Sequence, residues 1–258
     1  MNPEDIGKMA DVVPEDSRNA LFEAPLRSIG YAINGYLHYK FGPLIKMRAI
    51  NDAATKSLAE SIEEKTKDLK EEDVDRKKLG LSIKAIDEAG YQLDNETLRN
   101  MFANLITKSI NKHQNSDSSP LMVSVLTSLS PEAAEFLNSW HNQFPQNVST
   151  FSQIELEQMK NGTSNGSSLL VQNIIILSDL KVYQNEYVID ELRQLGIFDL
   201  AKDNKLTHSM WEEQYAVVEK IASTQFSNLQ TADQKVVAKY GSLSLSPFGR
   251  AFVRILLD

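Results

Sequence analysis

Between Asp94 and Ile110 the chain carries an apolar pattern that leaves little choice of structure. Leu98, Met101, Phe102, Leu105, Ile106 and Ile110 fall at i, i+3, i+4, i+7, i+8 and i+12. An α-helix stacks these positions on one face, whereas a strand scatters them over two. An apolar face of more than three turns has to be buried, which predicts a globular chain built mainly on packed helices. Asp94 to Glu96 stand just before the first apolar position, where they cap the helix and complement its positive end. A polar loop over 111–119 leads to a second helix from Pro120, apolar at Met122, Val125, Leu126 and Leu129. Ser130-Pro131-Glu132 then starts a third helix, with serine as cap and proline in the first helical position, burying Phe136, Leu137 and Trp140.

Upstream, residues 1–23 combine Pro3, Pro14 and charges without a period and are expected to be a flexible arm. A helical domain is expected over 24–142. Its first stretch interrupts Tyr31, Tyr36, Tyr39 and Phe41 with Gly30, Gly35, Gly42 and Pro43. The segment reads either as a helix packed against a partner helix or as one touching a membrane; His38, Lys40, Lys46 and Arg48 between the apolar residues favour packing. Aromatics left exposed there would form an assembly surface. From Met47 to Lys78 a narrow stripe at Ile50, Ala54, Leu58, Ile62 and Leu69 predicts one long exposed helix with interleaved charges.

Composition turns to Asn, Gln, Ser, Gly and Thr after Trp140, so a linker is expected over 143–167 and a second domain over 168–258. Within that domain we expect an apolar helix over 168–183. A second helix follows, with Val188, Ile189, Leu192 and Leu195 inward and Gly196 as its stop. Strands are expected at Ile197 to Leu200 and at Ser242 to Leu245, and a last helix from Ser246-Pro247 with Phe248, Phe252, Val253 and Leu256 on one face. That order predicts a winged-helix-like α+β domain with a short sheet and a helical insertion over 209–231. The fold class expected for the chain is thus mainly α.

The chemistry is bounded by what the sequence lacks. It has 258 residues, a net charge of -8 and no cysteine, which excludes disulfides, thiolate metal sites and thiol nucleophiles. Neither half is basic, so the whole-protein field repels nucleic acid. A winged helix that reads DNA needs basic or amide side chains on its second helix, and this one offers Glu186, Asp190 and Glu191 against Arg193. The polar, acidic start lacks the pattern of a secretory signal, and the most apolar window, 169–180, contains Gln172 and Asn173 and is too short to span a bilayer. A cytoplasmic home is expected. His38, His113, His141 and His208 are isolated, and no arginine precedes a histidine at the four-to-six-residue interval of a known antiviral ribonuclease class. No phosphate-binding glycine loop, dinucleotide fingerprint or serine-hydrolase elbow is present. No catalytic residue, cofactor or metal is predicted.

Three segments together nevertheless carry a resemblance: DNETLRNMFANLITKSI from Asp94, SPLMVSVLTSLSPEAAEFL from Ser119, and LSLSPFGRAFVRILL from Leu243. They resemble the Abi-alpha, or abortive infection alpha, family of bacterial proteins, most specifically in Glu96 to Leu105 and the Leu-Ser-Pro helix start at 129–131. The family often has His-Pro before its second helix, where this chain has Ser119-Pro120. The resemblance implies a mostly helical cytoplasmic protein of phage defence, with no enzyme activity or cofactor carried over. The role expected on this reading is that of a non-enzymatic sensor or interaction module, self-associating and meeting a phage or host protein. The alternatives are a membrane-perturbing toxin acting through 29–45 and, less favoured, a nucleic-acid-binding regulator. Residues singled out for interaction or for the motif are Tyr31, Tyr36, Tyr39, Phe41, Arg99, Phe102, Asn104, Pro247, Phe248 and Gly249.

Overall fold

In the computed structural model, residues 29–47 and 50–258 are described, and the arm expected over 1–23 lies outside them. The chain is rich in helix and carries one antiparallel sheet of five strands in its C-terminal half. It divides into two compact units. One holds the described residues up to Ser128 together with Arg254–Asp258, and the other holds Leu129–Val253.

The first unit contains helices α1 (Ile29–Lys46), α2 (Asp52–Thr66), α3 (Leu79–Ala89), α4 (Glu96–Ile110) and α5 (Pro120–Ser128). The patterned face of α4 is its centre: Leu98, Met101, Phe102, Leu105, Ile106 and Ile110 are all fully buried. The cap is Asn95, whose side chain accepts from the Leu98 amide at 3.0 Å. Helix α1 buries Ile29, Ile33, Tyr36, Leu37 and Phe41. It packs against α2 at Gly30, where an added Cβ would lie 2.5 Å from Thr66 Oγ1.

The long helix expected over 47–78 ends at Thr66. Tertiary pairing overrides the local pattern there: Val74 forms a bridge with Asn111, and Asp75 N donates to Ile110 O at 2.7 Å. The intervening chain folds into the short 3-10 turns Glu71–Asp73 and Arg76–Lys78. Val74, buried at their centre, is the apolar anchor of that detour.

The second unit contains α6 (Pro131–Gln143), β1 (Val148–Lys160), β2 (Thr163–Ile176), β3 (Val182–Gln184), α7 (Glu186–Gln194), β4 (Phe198–Ala201), α8 (Glu212–Gln225), β5 (Gln234–Leu245) and the start of α9 (Pro247–Leu256). The strand order is β3-β2-β1-β5-β4. This corrects two expectations. The segments expected as a linker over 143–167 and a helix over 168–183 contain the two long strands of a β-hairpin, 148–160 and 163–176, and the start of the short strand β3. Asn161 and Gly162 make its turn with φ of 54° and 77°. Both left-handed values are what a two-residue hairpin turn requires, and they match the right-handed twist of the strands. The sheet is consequently larger than the short one predicted. The region 209–231 contains α8, flanked by 3-10 turns.

Strand alternation assigns the two faces. Ile154, Ile174, Ile176 and Val236 pack with Val218 and Ala222 of α8. Thr150, on the same side of β1, donates to Gln214 Oε1 of α8 at 2.9 Å, a buried polar pair. On the opposite side, Trp140 of α6 donates from Nε1 to Ser149 Oγ at 2.9 Å and meets the Phe198 ring edge-on at 4.7 Å. Phe136 stacks on Tyr183 at 4.2 Å. Aromatic burial of this size, with the indole N–H satisfied, anchors α6 to the sheet.

Candidate functional site

Of the α1 aromatics, for which packing was the favoured expectation and an assembly surface the role of any left exposed, Tyr36 and Phe41 are core. Phe41 is fully buried, and Tyr36 is buried with its hydroxyl donating to Asp87 Oδ1 of α3 at 2.9 Å. Lys40 reaches the same carboxylate oxygen at 3.0 Å. Tyr39 is the partly exposed member, and the side chain of Tyr31 lies outside the description. The glycine spacing explains the outcome: only Gly30 is needed for a close approach, while Gly35 and Gly42 have no neighbour within 4 Å of an added Cβ. Tyr36 and Phe41 therefore sew α1 onto the unit instead of facing outward.

In the Glu96 to Leu105 string, each singled-out residue has a structural partner. Arg99 donates from Nη1 to Leu93 O at 2.7 Å, holding the turn before α4, while its Nε is buried without a partner. Phe102 is fully buried. Asn104 donates from Nδ2 to Leu256 O at 2.7 Å, and one turn further Lys108 Nζ donates to Arg254 O at 2.9 Å. Burial lowers the Lys108 pKa, because the charged ammonium loses part of its hydration. Arg254 in turn pairs with Asp117 at 2.8 Å. The outer side of α4 is thus a polar row that captures the residues Arg254–Asp258.

A dense polar cluster lies where the sequence suggests only a solvated connector and a polar loop. Asp75 accepts from the Lys77 amide at 3.0 Å and from Asn115 Nδ2 at 2.9 Å. The Asn115 amide, the dominant cause, holds the Asp75 carboxyl below its ordinary pKa. Asn115 also donates to Ser109 O at 3.2 Å, and Lys78 Nζ donates to Ser118 O and Oγ and to Asn115 O. Asp73 meets His113 Nε2 at 2.7 Å. An Asp–His contact of that length can orient a general base, but this imidazole is 73% exposed and the contact ties loop to turn. The signal available in the sequence was Asn-Ser-Asp-Ser-Ser running into Pro120, residues whose side chains bond to nearby backbone.

Two serine-proline helix starts complete the picture in the second unit. Ser130 caps α6 through Ala133 N at 3.2 Å. Glu191 of α7 grips the same residue from outside, accepting from Ser130 N at 2.6 Å and from Ser130 Oγ at 2.7 Å. A carboxylate on a helix N-terminus is electrostatically favourable. At the other start, Ser246 Oγ accepts from Gly249 N at 2.8 Å and Ser246 N donates to Ile197 O at 3.0 Å. Pro247 is exposed in the first helical position, and Phe248 lies 5.7 Å from Phe252. Gly249 is buried against Ile197, whose carbonyl oxygen an added Cβ would meet at 2.0 Å. The Ser-Pro-Phe-Gly string is therefore a joint between β4, β5 and α9.

Among the described residues, no group of three or more His, Asp or Glu is placed to hold a metal ion, and no helix is long and apolar enough to cross a membrane. Arg193 pairs with Asp190 of its own helix at 3.0 Å. The polar clusters thus act chemically as clamps, donors matched to acceptors across helix ends and loops.

No curated protein matches the chain. A solved structure of an uncharacterized protein from the hydrocarbon-degrading marine bacterium Alcanivorax borkumensis SK2 is similar at 16% identity, covering 56% of this chain and 96% of that one, with a TM-score of 0.30. A family model described as abortive infection alpha matches residues 50–256. That span takes in the α4 face, both serine-proline joints and the whole sheet, and by it the chain belongs to the abortive infection alpha family.

Proposed function

We propose that this protein acts in bacterial defence against phage by abortive infection, as a non-enzymatic sensor or interaction module that self-associates and engages a phage or host protein in the cytoplasm. The observation that carries the reading is the family match over residues 50–256. The clamps described above support a scaffold, because their polar groups are spent on one another. The helix ending at Gly196, the following strand β4 and its antiparallel pairing with the end of β5 support a winged-helix-like reading of the second unit. Its acidic α7 favours a protein partner over nucleic acid. A membrane toxin acting through 29–45 would need Tyr36 and Phe41 at the surface, and both are buried.

The test is plating efficiency of a varied phage panel on bacteria with and without the gene, at low and high multiplicity of infection. Protection at low multiplicity with collapse of the culture at high multiplicity is the expected result. Equal plating of every phage on both strains overturns the defence reading.

A further inference from the structure

Asparagine is followed by glycine three times in this chain, at Asn34, Asn161 and Asn165. In such a pair the backbone nitrogen of the glycine can attack the side-chain amide of the asparagine, since glycine has no Cβ to hinder the approach. The nitrogen bonds to Cγ, the Cγ–Nδ2 bond breaks, ammonia leaves, and a five-membered succinimide remains. Water then opens either carbonyl of the ring and gives aspartate or isoaspartate. In balance, one amide and one water become one carboxylate and one ammonium ion, with no change of oxidation state. Ring closure requires the asparagine backbone to rotate out of helix, turn and strand conformations alike, so local structure decides which pair reacts.

The three pairs are held differently. Asn34-Gly35 lies inside α1, and Asn34 Oδ1 is buried. Asn161 and Gly162 form the tight hairpin turn, closed by the Lys160–Thr163 pair of the ladder and by Thr163 Oγ1 donating to Lys160 O at 2.9 Å. Rotation there would undo the turn. Asn165-Gly166 falls between the ladder pairs Met159–Ser164 and Glu157–Ser167, where the register shifts and Gly166 takes a φ of 127°. A bulge of this kind already interrupts the pairing. Both of its residues are exposed to water. Exposed, weakly paired backbone opens at little cost, whereas a helix interior does not.

We infer that Asn165 is a site of self-modification, losing its side-chain amide to attack by the Gly166 nitrogen and becoming aspartate or isoaspartate. The product alters the surface on which it stands: residues 161–173 contain no charged side chain, and the reaction places a carboxylate among them. The isoaspartate form also adds a carbon to the main chain, which a bulge accommodates and a regular ladder does not. Molecules of this protein thus gain a negative charge with age on the exposed half of β2.

The experiment incubates the full chain for days in mildly alkaline buffer, which favours loss of the glycine amide proton, beside a sample unfolded in guanidinium chloride. Ion-exchange chromatography separates the more acidic product, and peptide mass spectrometry locates the gain of one mass unit. In the folded protein Asn165 should convert faster than Asn161 and at least about tenfold faster than Asn34, because the helix must open first. Unfolded, all three should approach one rate. Asn165→Gln, whose longer side chain would have to close a six-membered ring, should remove the main acidic species and leave the circular dichroism spectrum unchanged, since the position is exposed. A folded chain that keeps Asn165 intact while the unfolded chain converts overturns the inference, and so does a folded chain in which Asn161 or Asn34 converts first.

Discussion

Replacing Gly249 by alanine tests the joint at the start of α9 with one methyl group. Its Cβ would lie 2.0 Å from the Ile197 oxygen and 2.9 Å from the Ile197 carbonyl carbon, whereas ordinary contact begins at 3.4 Å. Relief requires backbone to move, because both atoms belong to the main chain. Ile197 is fixed by its own amide on Leu192 O at 2.9 Å and by Ser246 N on its oxygen at 3.0 Å. Overpacking of this kind costs about 1–3 kcal/mol, and losing the Ser246 bond adds about 1 kcal/mol. The expected loss is therefore about 2–4 kcal/mol, a fall in Tm of roughly 5–15 °C for a chain of this size. Gly35→Ala is the matched control: it sits exposed within α1 with no atom within 4 Å of the new methyl. There alanine should stabilise by about 1 kcal/mol through helix propensity. Thermal unfolding followed by circular dichroism reads both, each on the transition of its own unit where two resolve. A Gly249→Ala protein within about 0.5 kcal/mol of the native one, or shifted in the same direction as Gly35→Ala, would refute the steric reasoning.

Two further expectations concern the second unit. Glu191→Ala removes the acceptor of two bonds at the start of α6 and should cost about 1.5–3 kcal/mol in urea unfolding, with Glu191→Gln in between; equal midpoints for all three proteins would show that water replaces the carboxylate without loss. Burial against Phe136 pushes the Tyr183 phenol up to about 12, with Glu132 adding to the rise. Its folded value lies above the unfolded one, so its contribution to stability is whole below pH ~10 and is lost as pH rises through about 12. Tyr183→Phe should flatten that alkaline decline, and an unchanged slope would count against the burial of the phenol.

The helices were legible wherever apolar spacing met a deep core. The α4 face, the Ser130 cap, Gly196 as a stop and the α9 start all follow from local rules that tertiary structure reinforces. The hairpin was illegible for the opposite reason. Its outer half is exposed on the edge, register shifts near Ser152, Ile154 and Glu157 break the alternation, and the buried Asn173 to Ile176 run has no period to read. Asn161-Gly162 was the available signal, since that dipeptide between two strands marks a tight turn. The aromatic run of α1 was read as favouring packing, but composition cannot say which ring faces inward; the partner of Tyr36, Asp87, lies fifty-one residues further on. The Asp75–Asn115 and Ser130–Glu191 contacts join residues far apart in sequence, so neither spacing nor propensity could announce them.

The grouping of Arg254–Asp258 with the helices up to Ser128 also constrains the order of events on the ribosome. A nascent chain that has emerged only through α5 has no Leu256 carbonyl for Asn104 and no Arg254 for Asp117. Those bonds wait until all of Leu129–Val253 has been translated, on the order of ten seconds later at bacterial rates. The first helices made are among the last to be completed, which leaves them dependent for that interval on their apolar core and on the polar contacts within residues up to Ser128, such as Tyr36–Asp87 and Asp75–Asn115.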